Sequence, residues 1–576
     1  MHLHFHRLRG LLDVVNLKRR SLPFFLLAAL AVTRAGAADV RIDFVPVFHN
    51  NPANFDSLAH VSDTQQRLSI TRLDFLLSEI SVKSAAGEWL TLKDWSAYLS
   101  LRESRTGFTL KGLPDGNYTA IKFNVGLPPA TNKADATKFP AGHPLNPAVT
   151  TLWWGWTGGY VFLAIEGGWR RTDGSLSGYS FHVATDKHLM EVELPCDLKA
   201  ERPRAMKIEV DTGVILSGVT FKDDESSTHS RGDDPLADLL DRNIRRAFRF
   251  STSTAETAST NTDDRAPALA LPAGETPYKF TFSSAFPIPQ LPRDNPLTNE
   301  GVALGEKIFH DKRLSINNTQ SCADCHDATH AFTDPRKFSI GAEGGIGTRN
   351  AMPLFNLAWK QSFFWDGRAP SLRDQVLQPI QNPIEMHETL DGVEKKLGIP
   401  RDKIARSLEQ YLLTLIAPEA RFDRVMRHEE TFTPEEQRGF DLFHAEYDPR
   451  REQFGADCFH CHGGPLFQSM AFANNGLDAT PPDLGRFEAT KKDGDKGKFS
   501  VPSLRNIALT GPYMHDGRFA TLEEVIEHYS TGVHRSDTLD PNLAKHPEKG
   551  LNLGTADKAA LVAFLKTLTS EPKPAK

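Results

Sequence analysis

Two pentapeptides in the chain repeat one pattern of two cysteines followed by a histidine. They are Cys322-Ala-Asp-Cys325-His326 and Cys458-Phe-His-Cys461-His462. In a C-x-x-C-H motif the two thiols add to the vinyl groups of haem, and the adjacent histidine binds the iron from one face. A zinc site or a redox C-x-x-C pair is the alternative for a single motif. Because four of the five cysteines fall in these two motifs, the sequence predicts two covalently bound c-type haems.

A second group of oxidisable residues lies in the N-terminal half. Trp153, Trp154 and Trp156 fall within four residues. The simplest interpretation is aromatic core, and the alternative is redox chemistry. Histidines recur in the same half at positions 49, 143, 182 and 188. Each alone is more typical of a structural or exposed residue, and a copper or zinc site built from several of them is the minority interpretation.

Polar side chains that suit peroxide chemistry follow the first haem motif in the sequence. A haem with an open side and polar groups above it binds peroxide, whereas a strong sixth ligand favours electron transfer. Glu385 is a candidate general acid/base that could move a proton from the near to the leaving oxygen of hydrogen peroxide, but taken alone a glutamate is more often a solvated surface residue. Gln375 would hold the peroxide by hydrogen bonds.

Composition and the N-terminus indicate an exported protein of several domains. The chain has 576 residues, a net charge of -6, 39% hydrophobic and 24% charged residues, which gives no reason to expect nucleic acid. Residues 1–37 read as a signal peptide: Lys18 to Arg20 precede an apolar run and an A-x-A site ends at Ala37. An uncleaved anchor is the alternative, but the run is short for a membrane span. We expect a periplasmic protein of a Gram-negative bacterium that does not span the membrane after cleavage.

The elements that would position these residues differ between the two halves. Residues 38–217 alternate in strand-like runs separated by turn signals, which predicts an all-β, sandwich-like domain. Residues 218–285 read as a polar linker with one amphipathic helix at 234–248. Helix patterns then appear at 300–309, 433–443, 521–529 and 555–569. They predict a mainly α region of two cytochrome c-type domains, an N-terminal peroxidatic one at 286–428 and a C-terminal one at 429–576.

The N-terminal half resembles the MbnP-like copper-binding periplasmic proteins. The resemblance lies in Phe48-His49, in the run Ile70–Ile80, in Trp156–Gly167 and in Phe181-His182. It implies a β-sandwich-like domain that binds copper, in some members beside a tryptophan oxidised to kynurenine. The predicted copper residues are His49, His182 and His188, and the candidate oxidised residues are Trp153, Trp154 and Trp156.

The C-terminal half resembles the di-haem cytochrome c peroxidase / MauG family. The matching motifs include Ser321–His326, Ala331-Phe-Thr-Asp, Trp365-Asp-Gly-Arg, Asn382-Pro-Ile-Glu-Met and Pro512–Arg518. The resemblance implies that His326 is the proximal ligand of the peroxide-reacting haem, with Gln375 and Glu385 on its distal side. It implies that Trp365 relays electrons between the haems and that His462 is the proximal ligand of the second haem. It also implies a calcium ion between the haems, bound at Asn350, Thr510 and Pro512.

Two departures from the peroxidase branch of the family bear on function. Those enzymes carry a distal histidine where this chain reads Ser339-Ile-Gly-Ala342, so the first haem is expected to be open without activation. They also carry a methionine ligand where this chain has Tyr529. Tyr529 is therefore the predicted second ligand of the second haem, with Met514 as the alternative. Tyrosinate lowers the haem potential and stabilises high-valent iron, as suits the MauG and MbnH enzymes that oxidise tryptophan on a protein.

Together these features predict a periplasmic peroxidase that acts on its own N-terminal domain. Hydrogen peroxide would generate a high-valent di-haem state that oxidises tryptophan to kynurenine and so supports copper binding. The first alternative is a cytochrome c peroxidase that reduces peroxide with electrons from a small cytochrome. The second, from another class, is a copper-binding or electron-transfer protein without peroxidase activity.

Overall fold

The computed structural model describes residues 37–154, 159–200, 204–222, 226–251 and 271–570. The predicted signal peptide, apart from Ala37, lies outside the described residues. So do Trp156 and the polar stretch 252–270 of the predicted linker.

The N-terminal domain is built from strands, as the alternating sequence predicts. Its strands are β1 (Ala37–Phe48), β2 (Asn51–Pro52), β3 (His60–Val61), β4 (Arg67–Leu68), β5 (Arg72–Ser84), β6 (Trp89–Thr91), β7 (Ser96–Ser100), β8 (Gly107–Pro114), β9 (Asn117–Val125), β10 (Trp153–Trp154), β11 (Gly159–Arg170), β12 (Leu176–Ala184), β13 (Met190–Lys199), β14 (Arg204–Asp211), β15 (Ser227–Thr228) and β16 (Phe248–Phe250). Three short helices join them, α1 (Pro129–Asn132), α2 (Thr212–Ile215) and α3 (Pro235–Ile244).

Two sheets face each other across an aromatic core. One sheet has the strand order β16-β14-β1-β2, with β8 also paired to β1, and the other has the order β13-β9-β5-β11-β12-β15 with shorter strands at its sides. Phe44 of β1 contacts Phe75 of β5 and Phe123 of β9, with ring centroids 5.6 and 6.1 Å apart. Inward residues of two packed sheets form such a core, which confirms the predicted sandwich-like domain.

The predicted linker at 218–285 holds more of the β domain than expected. β15 pairs in parallel with β12, and β16 pairs with β14. The predicted helix is α3, capped by the Asp234 side chain, which accepts from Leu236 and Ala237 N–H groups. Residues 226–251 therefore belong to the sandwich. Strands of two and three residues carry almost no pattern of their own, because their pairing partners lie elsewhere in the chain.

The remainder of the described chain is helical and rich in loops, as predicted. Its helices are α4 (Asn299–Phe309), α5 (Leu372–Gln375), α6 (Gln378–Gln381), α7 (Leu390–Leu397), α8 (Arg401–Leu413), α9 (Arg421–Met426), α10 (Pro434–His444), α11 (Phe487–Thr490), α12 (Leu522–Thr531), α13 (Pro541–Ala544) and α14 (Thr555–Lys566). Short strands pair as β17 (Tyr447–Asp448) with β18 (Gln453–Phe454) and β19 (Phe472–Ala473) with β20 (Phe499–Ser500).

Each half of this helical region contains one packed helix pair and one haem motif. α4 packs on α8 in the first half of this region, and α10 packs on α14 in the second. Each C-x-x-C-H motif lies on a single 3-10 turn, at Cys322–Asp324 and Cys458–His460. Within the described part of the chain, none of the helices has the length and apolarity needed to cross a bilayer.

Candidate haem sites and the interdomain histidine cluster

A cavity of 750 Å³ opens beside the first C-x-x-C-H motif. Among the residues that line it are the predicted site residues Cys325, His326, Trp365, Gln375 and Glu385. The His326 ring donates from Nδ1 to the carbonyl oxygen of Phe332 at 3.0 Å, so the lone pair lies on Nε2. Burial lowers the pKa of His326, which keeps the ring neutral. A neutral imidazole oriented through its outer nitrogen is the form that binds iron, and these residues fit a haem.

Glu385 is set on the wall of this first cavity by the turn that follows α6. The Asn382 side-chain amide donates to Oε1 of Glu385 at 2.6 Å. Burial raises the pKa of Glu385, while the Asn382 hydrogen bond and the Arg368 charge oppose that rise. A carboxyl group with a raised pKa can both take and return a proton, which is the requirement for a general acid/base.

The loop that contains Gly341 and Ala342 is tied to the Glu385 turn. The Ala342 N–H donates to the Glu385 carbonyl oxygen at 2.7 Å. At Gly341, a Cβ atom would lie 1.8 Å from the Ile384 carbonyl oxygen, so the close approach requires glycine. Among the described residues that line the first cavity, the histidines are His326 and His515. That the distal side of the first haem is open stays a prediction.

A second cavity, of 210 Å³, lies beside the second motif. Cys458, Cys461 and His462 line it. His462 donates from Nδ1 to the Phe467 carbonyl oxygen at 3.2 Å, and burial lowers its pKa to about 4. His462, like His326, is therefore a neutral ring with its lone pair on Nε2, and the residues of this cavity also fit a haem.

Both candidates for the second axial ligand line this second cavity. Burial raises the pKa of Tyr529 well above its ordinary value. The Met514 sulfur accepts from the Asn475 side-chain amide at 3.3 Å. The assignment of Tyr529, with Met514 as the alternative, stays a prediction.

Trp365 lines both cavities, so it lies between them. Its indole N–H donates to the Asn350 carbonyl oxygen at 2.9 Å, which fixes the ring. The predicted calcium residues Asn350, Thr510 and Pro512 all line the second cavity. Their oxygens are suitable ligands for calcium, and the calcium site stays a prediction.

Three histidines from the two halves of the chain meet beside the second haem motif. They are His182 of β12, His229 after β15 and His460 of the motif Cys458–His462, and we call them the histidine cluster. Their side chains are 0%, 3% and 2% exposed. Sequence reasoning missed His229 because it lies in the predicted linker. It missed His460 because that position was treated as a variable residue of the motif, although a third histidine there is a visible signal.

The three predicted copper residues do not lie together. His182 joins the histidine cluster, but His49 follows β1 with Nε2 3.7 Å from Asp63. His188 lies against α3, with Nδ1 3.4 Å from Asp241. Within the described residues, the groups of potential ligands that converge include neither His49 nor His188.

The structure distinguishes the two described tryptophans of the predicted cluster. Trp154 is 6% exposed, and its ring lies 5.2 Å from Phe459 and 5.6 Å from His460, measured between centroids. It also contacts His182 and His229 at 4.8 and 4.9 Å. Trp153 is half-buried, and it lines a small pocket together with Trp154, Phe459 and His460.

These sites define a c-type di-haem protein joined to a β sandwich. Each of the two halves is similar to known proteins. A family model for di-haem cytochrome c peroxidase matches residues 299–431, and a model for MbnP matches residues 37–230. Methylamine utilization protein MauG of Methylorubrum extorquens is 33% identical over 302 residues, covering 49% of this chain and 81% of MauG. Cytochrome c peroxidase Ccp of Escherichia coli is 33% identical over 313 residues, covering 50% of this chain and 62% of Ccp.

A solved structure is similar over about half of this chain. It is a MauG-like protein associated with microbial copper homeostasis, 34% identical, with a TM-score of 0.45, covering 51% of this chain and 96% of that one. On the MauG match, the chain belongs to the di-haem cytochrome c peroxidase / MauG family of oxidoreductases, and it carries an N-terminal MbnP domain.

Proposed function

We propose that this chain is an exported, periplasmic di-haem peroxidase that uses hydrogen peroxide to oxidise Trp154 of its own MbnP domain to kynurenine. The single observation that carries the proposal is the contact of Trp154 with Phe459 and His460. Those two residues are the variable pair of the second haem motif. The candidate substrate therefore lies directly against the loop that would hold the second haem.

Different residues of the chain have different roles in the reaction at the first cavity. When bound, the haems supply iron that accepts the oxidising equivalents of peroxide. Glu385 takes the proton from the near oxygen of peroxide and delivers it to the leaving oxygen, which departs as water. The Gln375 amide orients the peroxide, and Trp365 carries electrons between the two cavities that it lines.

The overall reaction balances with peroxide as the oxidant. Two molecules of hydrogen peroxide convert one tryptophan to N-formylkynurenine and release two molecules of water. One water molecule then hydrolyses the formyl group and releases formate, leaving kynurenine. The ring contacts of Trp154 with Phe459 and His460 favour electron removal from this ring over Trp153. Oxidation of Trp154 would support the binding of copper by the MbnP domain.

Peptide mass spectrometry before and after peroxide addition tests the proposal. The haem-loaded wild-type chain should lose one carbon and gain one oxygen at Trp154. Glu385→Gln should abolish the change, whereas Glu343→Gln, on the neighbouring loop and 54% exposed, should not. Trp153→Phe should leave oxidation of Trp154 intact. Kynurenine at Trp153 or Trp156 instead, or unchanged oxidation in the Glu385→Gln variant, would overturn the assignment.

A cytochrome c peroxidase activity is the second candidate. Met514 lines the same cavity as Tyr529, and a thioether ligand raises the haem potential as electron acceptance from a small cytochrome requires. This function predicts steady consumption of peroxide with a reduced cytochrome while Trp154 stays unmodified. The same peptide experiment, with a cytochrome added, separates the two candidates.

A further inference from the structure

We propose that Lys360 binds a propionate carboxylate of the haem held in the first cavity. A c-type haem is attached through its vinyl groups, so its two propionate carboxylates stay free to bind cationic side chains. The inference concerns how the chain holds its haem. It does not depend on the proposed oxidation of Trp154.

Lys360 lies in the wall between two cavities. It lines the first cavity, of 750 Å³, and also an interdomain cavity of 370 Å³ whose walls come from both halves of the chain. The preceding residue, Trp359, is 2% exposed, and its indole N–H donates to the Pro287 carbonyl oxygen at 2.7 Å. The backbone at Lys360 is therefore anchored beside the first cavity.

The Lys360 amine is bound by neutral oxygens. Nζ donates to Ser500 Oγ at 3.0 Å and to the Val501 carbonyl oxygen at 2.8 Å. An ammonium group has three N–H donors, so one donor remains after these two bonds. Burial lowers the pKa of Lys360 to about 8, and among the described residues no carboxylate opposes that fall by pairing with the amine.

The arginines that line the first cavity differ from Lys360, because each has a carboxylate partner within the protein. These pairs are Arg349 with Asp366 and Asp483, Arg368 with Asp366, and Arg505 with Asp423. Burial lowers the pKa of His515, another residue of this wall, to about 4, so that ring is neutral. Within the described part of the cavity wall, Lys360 is thus the cation that is left to bind an incoming anion.

A charged amine at this position needs an anion. Removing an ammonium group from water costs free energy that hydrogen bonds to two neutral oxygens do not fully recover, and lysine is rarely buried without a partner. A propionate is the anion that the haem itself brings into the cavity. Pairing would also raise the pKa of Lys360 back towards its ordinary value, since an opposite charge favours the charged form.

The amine also lies close to the residue that the proposed function uses as an electron relay. Ser500 lines the first, second and interdomain cavities, and its N–H donates to the Trp365 carbonyl oxygen at 2.8 Å. An unpaired positive charge beside Ser500 would oppose the removal of an electron from Trp365. A propionate at Lys360 would neutralise that charge, so the pair would serve both haem binding and electron transfer.

Two measurements on the haem-loaded chain test the pair. Resonance Raman spectra report the propionate-bending band, which should shift in Lys360→Met because the carboxylate loses a charged donor. Potentiometric titration followed by electron paramagnetic resonance reports the reduction potential of each haem. The potential of the first haem should fall in Lys360→Met, because a nearby cation favours the reduced iron. Lys360→Arg keeps the charge and should restore both values towards wild type.

Lys403→Met is the matched control, because Lys403 is an exposed lysine of α8, and it should leave the band and both potentials unchanged. Lys360→Gln removes the charge by a second route and should reproduce the fall in potential. An unchanged propionate band in both Lys360→Met and Lys360→Gln would overturn the pair. So would a larger shift at the second haem, or differences that vary with chloride or phosphate concentration, which would place a solvent anion at Lys360. These measurements use no peroxide, so their outcome is separate from that of the Trp154 experiment.

Discussion

Glu385 is the residue whose environment is most directly tied to peroxide chemistry. Burial raises its pKa above the ordinary value of 4.5, and its ionised form is the one that can accept the peroxide proton. The rate of reaction with peroxide should therefore rise with pH through a midpoint above 4.5 and then level off. Below that midpoint Glu385 is protonated and cannot act as a base.

Stopped-flow measurement of the haem absorbance change after mixing with peroxide, across pH, checks this profile. Glu385→Gln should remove the acidic limb and slow the reaction by about 10²–10⁴-fold. Glu343→Gln should keep both the limb and the rate. An acidic limb that persists in Glu385→Gln would assign the titration to another group.

The roles of single residues could be predicted from sequence only where a motif fixes them. The haem histidines and Glu385 belong to ordered motifs, and the structure places them at two cavities. No sequence motif distinguishes Trp153 from Trp154. Only the packing of the two halves shows that Trp154 is the buried ring whose centroid lies 5.2 Å from that of Phe459.

At the scale of elements, a buried ion pair holds the second haem loop against α9. Arg505 donates to both carboxylate oxygens of Asp423 at 2.7 and 2.9 Å, and both side chains are 1% exposed. Arg505 also donates to the Pro465 carbonyl oxygen at 2.9 Å, just after the second motif. The pair therefore links α9 to the loop that orients His462.

Removal of one partner of this pair should be costly. Asp423→Ala leaves the Arg505 charge buried and unpaired, which should lower the free energy of unfolding by about 3–5 kcal/mol. Urea unfolding of the haem-loaded chain, followed by haem absorbance, measures the loss. Asp402→Ala on α8 removes a side chain that is 68% exposed in its pair with Arg406, so it should change stability little. Equal effects of the two substitutions would contradict the structural role of the Asp423–Arg505 pair.

Elements with strong local signals were predictable, and elements that depend on distant partners were not. α10 begins at Pro434 after a Thr433–Glu436 capping box, and α12 follows a Thr521–Glu524 capping box, which are sequence-level start signals. β15 has two residues and exists because β12 pairs with it. His229 follows β15, so the histidine cluster could not be predicted from the sequence either.

At the scale of the whole molecule, the two halves share a buried polar contact rather than a loose connection. Arg102 of the MbnP domain bonds Asp495 at 2.5 Å and Asp56 at 2.9 Å, and Lys498 lies 3.2 Å from Asp56. At Gly178 of β12, a Cβ atom would lie 2.1 Å from the Pro541 carbonyl oxygen of α13. The lack of a side chain there allows β12 to approach α13 closely. Trp154 is thus held at the haem loop of its own chain.

A fixed contact of this kind predicts that oxidation occurs within one chain. Trp154→Phe chains keep Glu385 but lack the substrate ring, and Glu385→Gln chains keep the ring but lack the acid/base. When the two haem-loaded variants are mixed with peroxide, kynurenine at position 154 can arise only on Glu385→Gln chains. Because Trp154 there is buried against Phe459 and His460 of its own chain, we expect no kynurenine by peptide mass spectrometry. Kynurenine that forms at a rate proportional to the concentration of Trp154→Phe chains would instead establish transfer between molecules.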